Sequence, residues 1–165
     1  MKVIDNFLEP KQFKYIQETI MGTSFPWFYQ HGSDYEQEGL SQLVHTFYKS
    51  EFPSRVNSSF LEILEPVWKK LNAEGLIRIK ANLTYPAKKR QGTHTAYNLK
   101  NVTTSIYYIN SNNGGTKIKD KVIKSKENRM VTIPGNVPHV VVRHTDNNIG
   151  RFIINFNYYE GEPNE

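Results

Sequence analysis

Residues 129–158 read R-M-V-T-I-P-G-N-V-P-H-V-V-V-R-H-T-D-N-N-I-G-R-F-I-I-N-F-N-Y. Three short runs of β-branched and aromatic residues, Met130–Ile133, Val140–Val142 and Arg151–Tyr158, are separated here by polar and turn-forming residues. Runs of this composition, bounded by Gly, Pro and Asn, are typical of β-strands. The stretch therefore predicts three strands and sets the pattern for the second half of the chain.

The same pattern extends back to the middle of the chain. Side chains at 76–83 follow a period of two, and further short runs occur at Thr103–Ile109, Thr116–Ile118 and Val122–Ile123. Turn sequences separate these runs, among them Asn-Asn-Gly-Gly at 112–115. Many short strands at this spacing are typical of sandwiches, barrels and jelly rolls. The second half therefore predicts a β-core of one of these kinds.

The N-terminal part is mixed. Residues 10–21 place apolar side chains at helical spacing, which predicts a helix. A second amphipathic helix is predicted at about 58–72, where Pro66 is expected to kink or divide it because proline lacks an N–H. Residues 22–40 are predicted to be a loop, and Gln42–Tyr48 a loosely alternating strand. Helices followed by a β-core predict an α+β protein of one domain.

The composition limits the possible partners and metal ligands. The chain has 165 residues, no cysteine and a net charge of +5. Without thiolates, any bound metal must use His, Asp, Glu or backbone oxygen. The basic balance is compatible with an anionic substrate or with nucleic acid but establishes neither. The lysine-rich run at 117–126 is predicted to be a solvated loop or a strand edge, and lysines on a strand edge discourage aggregation.

No segment indicates a membrane partner or an export signal. The first residues, Met1–Asp5, contain no apolar signal-peptide core, and no stretch approaches the length of a membrane span. We therefore expect a soluble, cytoplasmic protein.

Two of the five histidines stand out by their surroundings. His94 ends a loop that follows Tyr85-Pro86, and His139 closes a Pro-Gly-Asn-Val-Pro turn. Arg151 opens the last apolar strand, and a buried arginine there needs a partner charge. A dicarboxylate ligand would supply that charge through paired hydrogen bonds. The remaining histidines, at 31, 45 and 144, are predicted to be structural or solvent-exposed.

Taken together, these features resemble the iron(II)/2-oxoglutarate-dependent dioxygenases, in particular small prolyl-4-hydroxylase-like members from phages and bacteria. The resemblance covers roughly residues 75–159 and the opening helix. It implies a double-stranded β-helix, a distorted jelly roll, with N-terminal helices packed on one sheet. A single domain, 1–165, would then have a helical N-terminal part at about 1–73 and a jelly-roll core at about 75–159. The implied cofactors and co-substrates are Fe(II), 2-oxoglutarate and O₂.

Several further motifs carry this resemblance. Ser105–Asn110, the Gly-Gly-Thr at 114–116 and Asn128–Val131 are similar to strands and a turn that the family has in the same order. The resemblance implies iron ligation by His94 and His139. It implies 2-oxoglutarate binding by Tyr85, Tyr108, Arg151 and Asn155. It also suggests weaker substrate contacts at Trp27, Arg90 and Tyr97.

The chain departs from the family at position 96. The family has His-x-Asp or His-x-Glu, whereas this chain has His94-Thr95-Ala96. A set of two histidines and one carboxylate suits non-haem iron(II) and leaves positions open for co-substrate and O₂. Alanine removes one ligand and one negative charge. A second His-x-Asp, His144-Thr145-Asp146, is followed by no further histidine and is predicted to be a surface loop.

Three hypotheses account for Ala96. The first is radical C–H halogenation through an iron(IV)-oxo halide, because the family's halogenases have Ala or Gly at this position and bind chloride or bromide there. The second is a 2-oxoglutarate-dependent hydroxylase of the prolyl-4-hydroxylase type whose aspartate has been replaced, by engineering or by natural loss of activity. The third is a non-catalytic jelly-roll binding module, like a lectin or a cupin-like domain.

The resemblance leaves the substrate open, since the superfamily acts on small-molecule, nucleotide, carrier-tethered and peptidyl substrates. A basic rim at Lys88–Arg90 would favour an acidic or nucleotide substrate. Expression from a phage genome in a bacterial host is the origin that the resemblance suggests.

Overall fold

The computed structural model of the protein describes residues 1–31, 41–50, 55–87, 101–146 and 149–161. The helical elements are α1 (Pro10–Met21), a 3₁₀ helix (Leu61–Leu64) and α2 (Glu65–Lys70). The strands are β1 (Lys2–Ile4), β2 (Phe28–Gln30), β3 (Gln42–Lys49), β4 (Val56–Asn57), β5 (Ala73–Thr84), β6 (Val102–Tyr108), β7 (Gly115–Ile118), β8 (Lys121–Lys124), β9 (Arg129–Pro134), β10 (His139–Val142) and β11 (Arg151–Glu160).

These strands form two sheets. The larger has the order β1-β9-β6-β11-β5-β3-β2, with β4 also paired to β3, and the smaller has the order β10-β7-β8. The strand pairs of the described residues are antiparallel. The C-terminal strand β11 lies between β5 and β6, so it joins the two strands that flank residues 85–101. A mostly antiparallel sheet pair with few helices confirms the predicted double-stranded β-helix.

The helices match the predicted periodicity. Phe13, Ile16 and Ile20 of α1 are buried and belong to one cluster with side chains of the larger sheet. The second predicted helix is divided, because a 3₁₀ turn ends where α2 begins and Pro66 lies in the first turn of α2, where no N–H is needed. In the described ranges, no helix is long and apolar enough to cross a membrane.

The larger sheet is buried on both faces. On β11, Phe152, Ile154 and Phe156 point to the helices, whereas Ile153 belongs to a second cluster between the two sheets. Alternation along a strand therefore places Arg151 on the inter-sheet face, with Ile153. This inter-sheet space holds the candidate site.

The N-terminal part contains more strand than its sequence predicts. β1 lies against β9, and β2 and β3 extend the larger sheet beyond β5. β2 falls in the segment predicted to be a loop, because three residues are too short to display a period of two. The division into a helical part and a β-core therefore needs correction, since both parts contribute to the larger sheet.

Candidate functional site

Arg151 is the centre of the candidate site. It is the first residue of β11 and is fully buried. Its Nε donates to Ser125 Oγ at 2.9 Å and its Nη2 donates to Thr116 Oγ1 at 3.1 Å. Its Nη1 is buried and has no hydrogen-bond partner. One donor group of the buried guanidinium is therefore unsatisfied among the described residues.

Tyr108 forms the second side of the site. The end of β6 places its ring beside the guanidinium, with the Arg151 carbon Cζ 5.4 Å from the ring centroid. The Tyr108 hydroxyl donates to Thr116 Oγ1 at 2.8 Å. Strands β6, β7 and β11 and the segment after β8 thus converge on one buried cation.

The charge of this cluster is not balanced by an acid in the described part of the chain. The hydrogen-bond partners of Arg151 there are hydroxyl oxygens, and no acid forms a salt bridge with it. Burial lowers the pKa of Arg151, and the Tyr108 hydroxyl opposes that shift. A buried cation without a counter-ion is unfavourable, so the cluster suits a carboxylate ligand.

The predicted Gly-Gly-Thr turn has a steric reason at this site. A Cβ atom at Gly115 would collide with the Ile123 carbonyl, and one at Gly114 would lie 2.8 Å from the His144 backbone nitrogen. Only glycine allows these strands to approach so closely. The turn thereby places the Thr116 hydroxyl within hydrogen-bonding distance of Arg151.

His139 lies on the same inter-sheet space. It is the first residue of β10 and pairs with Ile118, whose side chain belongs to the inter-sheet cluster. Its Nδ1 is 3.0 Å from the Val137 carbonyl oxygen, which favours a proton on that nitrogen and a lone pair on Nε2. Burial lowers the pKa of His139, and the Val137 contact opposes this. A neutral imidazole oriented by a carbonyl is the form that binds metals.

The second predicted metal ligand is not among the described residues. His94, Ala96, Tyr97 and Arg90 all lie at 88–100, outside the described ranges. Within the described ranges, no group of three or more His, Asp or Glu side chains could hold a metal ion. The two-histidine site therefore stays a prediction.

The remaining predicted contacts are spread over a wider region. Tyr85 follows β5 and is 49% exposed. Asn155 shares the face of Arg151, but lies four residues further along β11, which is about 13 Å. Trp27 packs against Phe152, with ring centroids 5.8 Å apart, on the helix side of the larger sheet. The structure therefore places Trp27 away from Arg151.

The prediction that His144 lies in a surface loop is wrong. His144 is fully buried, and its carbonyl oxygen accepts a hydrogen bond from Ala87 N at 3.2 Å. Asn113 holds the following residues, since its Oδ1 accepts from Thr145 N at 2.8 Å and its N donates to Asp146 Oδ2 at 2.8 Å. The polar sequence predicts exposure for the whole segment, but His144 is buried, whereas Thr145 is exposed and Asp146 is partly exposed.

His45 and the lysine run match their predictions. His45 is buried among phenylalanines and bonded to Pro26 O and Ser58 Oγ, each at 2.8 Å, as expected of a structural histidine. The lysines of β8, Lys121 and Lys124, are exposed on a strand at the edge of the smaller sheet.

Three residues of the site were not predicted as ligand contacts. Ser125 and Thr116 hold the guanidinium, and Arg143 donates from Nη1 to the Tyr85 carbonyl at 3.2 Å. Thr116 belongs to the Gly-Gly-Thr motif, which was a signal for it. Ser125 and Arg143 carry no local signal, because only strand pairing brings them to Arg151 and Tyr85.

Comparisons with known proteins identify the fold. No family model and no curated protein matches the chain. A 2OG-Fe(II) oxygenase-family oxidoreductase from Burkholderia pseudomallei superposes with a TM-score of 0.70 at 12% identity, covering 95% of this chain and 84% of that chain. A prolyl-4-hydroxylase from Pseudomonas putida has a TM-score of 0.64 at 10% identity, covering 96% and 92%.

A third similar structure is a prolyl hydroxylase from Trichoplax adhaerens, solved with a peptide fragment of hypoxia inducible factor. It has a TM-score of 0.63 at 14% identity and covers 96% of this chain and 83% of that chain. At these identities the likeness establishes a shared architecture. The chain has the fold of the 2OG-Fe(II) oxygenases.

Proposed function

We propose that the protein is a non-haem iron(II)/2-oxoglutarate-dependent oxidoreductase in which Arg151 binds the distal carboxylate of 2-oxoglutarate. The observation that carries this proposal is the fully buried Arg151, which has a donor group without a partner and no acidic partner in the described ranges. A carboxylate would accept from that group and neutralise the charge. The hydroxyls of Ser125 and Thr116 fix the guanidinium before the ligand arrives.

The donor chemistry on the facing sheet fits a metal. His139 presents a neutral, carbonyl-oriented imidazole, and His94 is proposed as its partner. Bound iron and 2-oxoglutarate would supply activation of O₂ coupled to oxidative decarboxylation of the co-substrate. The role of the protein would be to bind and orient the co-substrate through Arg151 and Tyr108. Because both residues are buried, they would also exclude water from the co-substrate.

Ala96 supports a finer proposal, radical C–H halogenation. Loss of the carboxylate opens a ligand position and removes a negative charge, and chloride or bromide fits both changes. The alternative is a hydroxylase of the prolyl-4-hydroxylase type whose aspartate has been replaced. A non-catalytic binding module is the third possibility, and the buried Arg151 cluster argues against it because an apolar core would not need it.

The substrate, location and origin stay predictions. The Trichoplax structure holds a peptide, which supports a peptidyl substrate, while the basic charge supports an acidic small molecule, a nucleotide or a carrier-tethered substrate. We propose a cytoplasmic enzyme, expressed from a phage genome, without a membrane partner.

Anaerobic titration with Fe(II), 2-oxoglutarate and chloride tests the proposal. We expect a metal-to-ligand charge-transfer band on addition of 2-oxoglutarate, and its loss in Arg151→Gln. Arg129→Gln is the control, because Arg129 is also largely covered but its charge is paired with the Asp5 carboxylate. If no band forms with the unaltered protein, the iron/2-oxoglutarate proposal is wrong.

The same titration separates the finer alternatives. A band that shifts with chloride or bromide supports halogenation. Restoring the carboxylate by Ala96→Asp is the complementary change. A large gain in 2-oxoglutarate turnover without a halide effect in the unaltered protein would favour the replaced-ligand hydroxylase.

A further inference from the structure

Three buried polar side chains with unsatisfied atoms lie near the start of β11, at Arg151. Thr84, His144 and Arg151 are 1%, 0% and 0% exposed. Thr84 Oγ1, both ring nitrogens of His144 and Arg151 Nη1 are buried and have no hydrogen-bond partner. Buried polar atoms are nearly always bonded in native proteins, so such a group of exceptions needs an explanation.

Strand register places Thr84 next to Arg151. The two are direct partners in the antiparallel pair β5–β11. Directly paired residues have side chains on the same face with Cβ atoms about 5 Å apart. The Thr84 hydroxyl therefore lies on the inter-sheet face beside the guanidinium.

His144 approaches the same compartment from the smaller sheet. Its carbonyl bonds to Ala87 N, in the segment that follows Thr84. Burial lowers the pKa of His144, and the charges of Arg151 and Arg143 act in the same direction, while Asp146 and the Ile149 backbone oppose it. The His144 backbone lies against Gly114, two residues before the Thr116 that bonds to Arg151. Burial favours the neutral imidazole, in which one ring nitrogen carries a proton.

We propose that Thr84 and His144 bind the same carboxylate as Arg151, so that the anion is held by a guanidinium, a hydroxyl and an imidazole. A carboxylate has enough lone pairs to accept from all three. This inference rests on the proposed function for the identity of the carboxylate, and it adds two binding residues that the sequence motifs do not assign.

A purely structural role makes the opposite prediction. If Thr84 and His144 only fill space, apolar replacements of similar shape should stabilise the protein and leave binding unchanged, because an unsatisfied buried polar atom is removed. If they bind the anion, the same replacements should weaken binding while ligand-free stability stays equal or rises. Affinity therefore separates the two roles, and the stability measurement shows that each variant is folded.

The test is calorimetric titration of the metal-free protein with 2-oxoglutarate and with glutarate, repeated with Mn(II) present. The variants are Thr84→Val, His144→Leu and Arg151→Gln. The matched control is Thr104→Val, because Thr104 is also buried on the larger sheet but its hydroxyl accepts from Asn157 Nδ2 at 2.9 Å. Thermal unfolding of each ligand-free variant is measured in parallel.

We expect Thr84→Val and His144→Leu each to weaken binding about tenfold or more, the loss of one hydrogen bond to a charged group, without lowering thermal stability. Thr104→Val should lower stability and leave binding unchanged. Normal binding by Thr84→Val and His144→Leu, alongside loss in Arg151→Gln, would overturn this inference and leave the proposed function intact. No binding of either dicarboxylate by the unaltered protein would overturn both.

Discussion

Tyr107 and Tyr108 are adjacent residues on opposite faces of β6. Tyr107 contacts Phe7 and Phe13 on the helix side, and its hydroxyl donates to Asn128 Oδ1 at 2.7 Å. Tyr108 lies between the sheets, where its hydroxyl bonds to Thr116. Both are fully buried, so burial alone does not tell which one serves a ligand. Their hydroxyl partners differ, because only Tyr108 bonds to Thr116, which also accepts from Arg151, and this supports the proposed role of Tyr108.

Replacing each tyrosine by phenylalanine separates these roles. Tyr108→Phe removes the hydroxyl that bonds to Thr116 beside Arg151, so we expect 2-oxoglutarate affinity to fall about two- to tenfold, the equivalent of one neutral hydrogen bond. Tyr107→Phe should instead lower the free energy of unfolding by about 1 kcal/mol with unchanged affinity. Calorimetry and urea denaturation measure the two effects, and equal affinity loss in both variants would contradict the assignment.

The sequence predicted those residues of the candidate site that stand in ordered motifs. Arg151 was singled out because it opens the last apolar strand and His139 because it closes a turn, whereas Tyr108 was named through the resemblance of Ser105–Asn110 to a strand of the family. Ser125 and Thr84 were not found, because a lone Ser or Thr gives no local signal. Their role depends on which strand they face, and that is set by pairing across many residues.

At the scale of elements, Asn128 joins the segment before α1 to the turn before β9. Its Nδ2 donates to Leu8 O at 2.8 Å, and its Oδ1 accepts from Leu8 N at 2.9 Å. The same Oδ1 accepts from the Tyr107 hydroxyl. Its φ is 55°, in the left-handed region that asparagine tolerates. One side chain therefore sets both a turn and the position of a helix.

Asn128→Ala should be strongly destabilising. It removes three buried hydrogen bonds, leaves the Leu8 backbone groups unsatisfied and puts alanine at a positive φ, so we expect a loss of about 3–5 kcal/mol in the free energy of unfolding. Asn128→Gly tolerates the positive φ and loses only the side-chain bonds, so it should be less harmful than alanine by about 1 kcal/mol. Urea denaturation measures both, and a loss below about 1 kcal/mol in Asn128→Ala would show that the bonds contribute little.

The strands of the second half were predictable because each has several β-branched or aromatic residues between turn signals. Val102–Tyr108 and Arg129–Pro134 differ from their predicted spans by one residue at each end or less. β2 and β4 were not predictable, since three and two residues cannot show a period. The position of β11 between β5 and β6 depends on long-range strand pairing, which local sequence patterns do not predict.

For the whole molecule, the larger sheet separates an apolar face from the face that carries the proposed binding site. Its helix side is a continuous apolar cluster that includes Phe47, Ile79 and Phe156. Its inter-sheet side combines a smaller apolar cluster with Arg151 and Thr84. The apolar side can hold the fold together while the other side keeps polar atoms unsatisfied.

Three buried histidines make the whole fold sensitive to acid. Burial is the main cause that lowers the pKa of His45, His139 and His144 below the ordinary value of 6.5. Between those lowered values and 6.5, the unfolded chain binds more protons than the folded protein. The free energy of unfolding therefore rises with pH across this window. The stability that the neutral histidines contribute is fully present above pH 6.5 and is lost as the pH falls through their lowered pKa values. Arg129 and Lys126 lower the pKa of Asp5, so this residue makes stability depend on pH only below its ordinary pKa of 3.8.

We therefore expect the urea midpoint of the unliganded protein to fall between pH 7.5 and pH 5. His45→Leu should be less stable at pH 7.5, because it loses bonds to Pro26 and Ser58, but its stability should depend less on pH. His144→Leu should show the smaller pH dependence without that loss. The exposed His31, replaced by glutamine, is the control and should leave the pH dependence unchanged. Identical pH dependence in all four proteins would mean that the buried histidines do not link folding to proton binding.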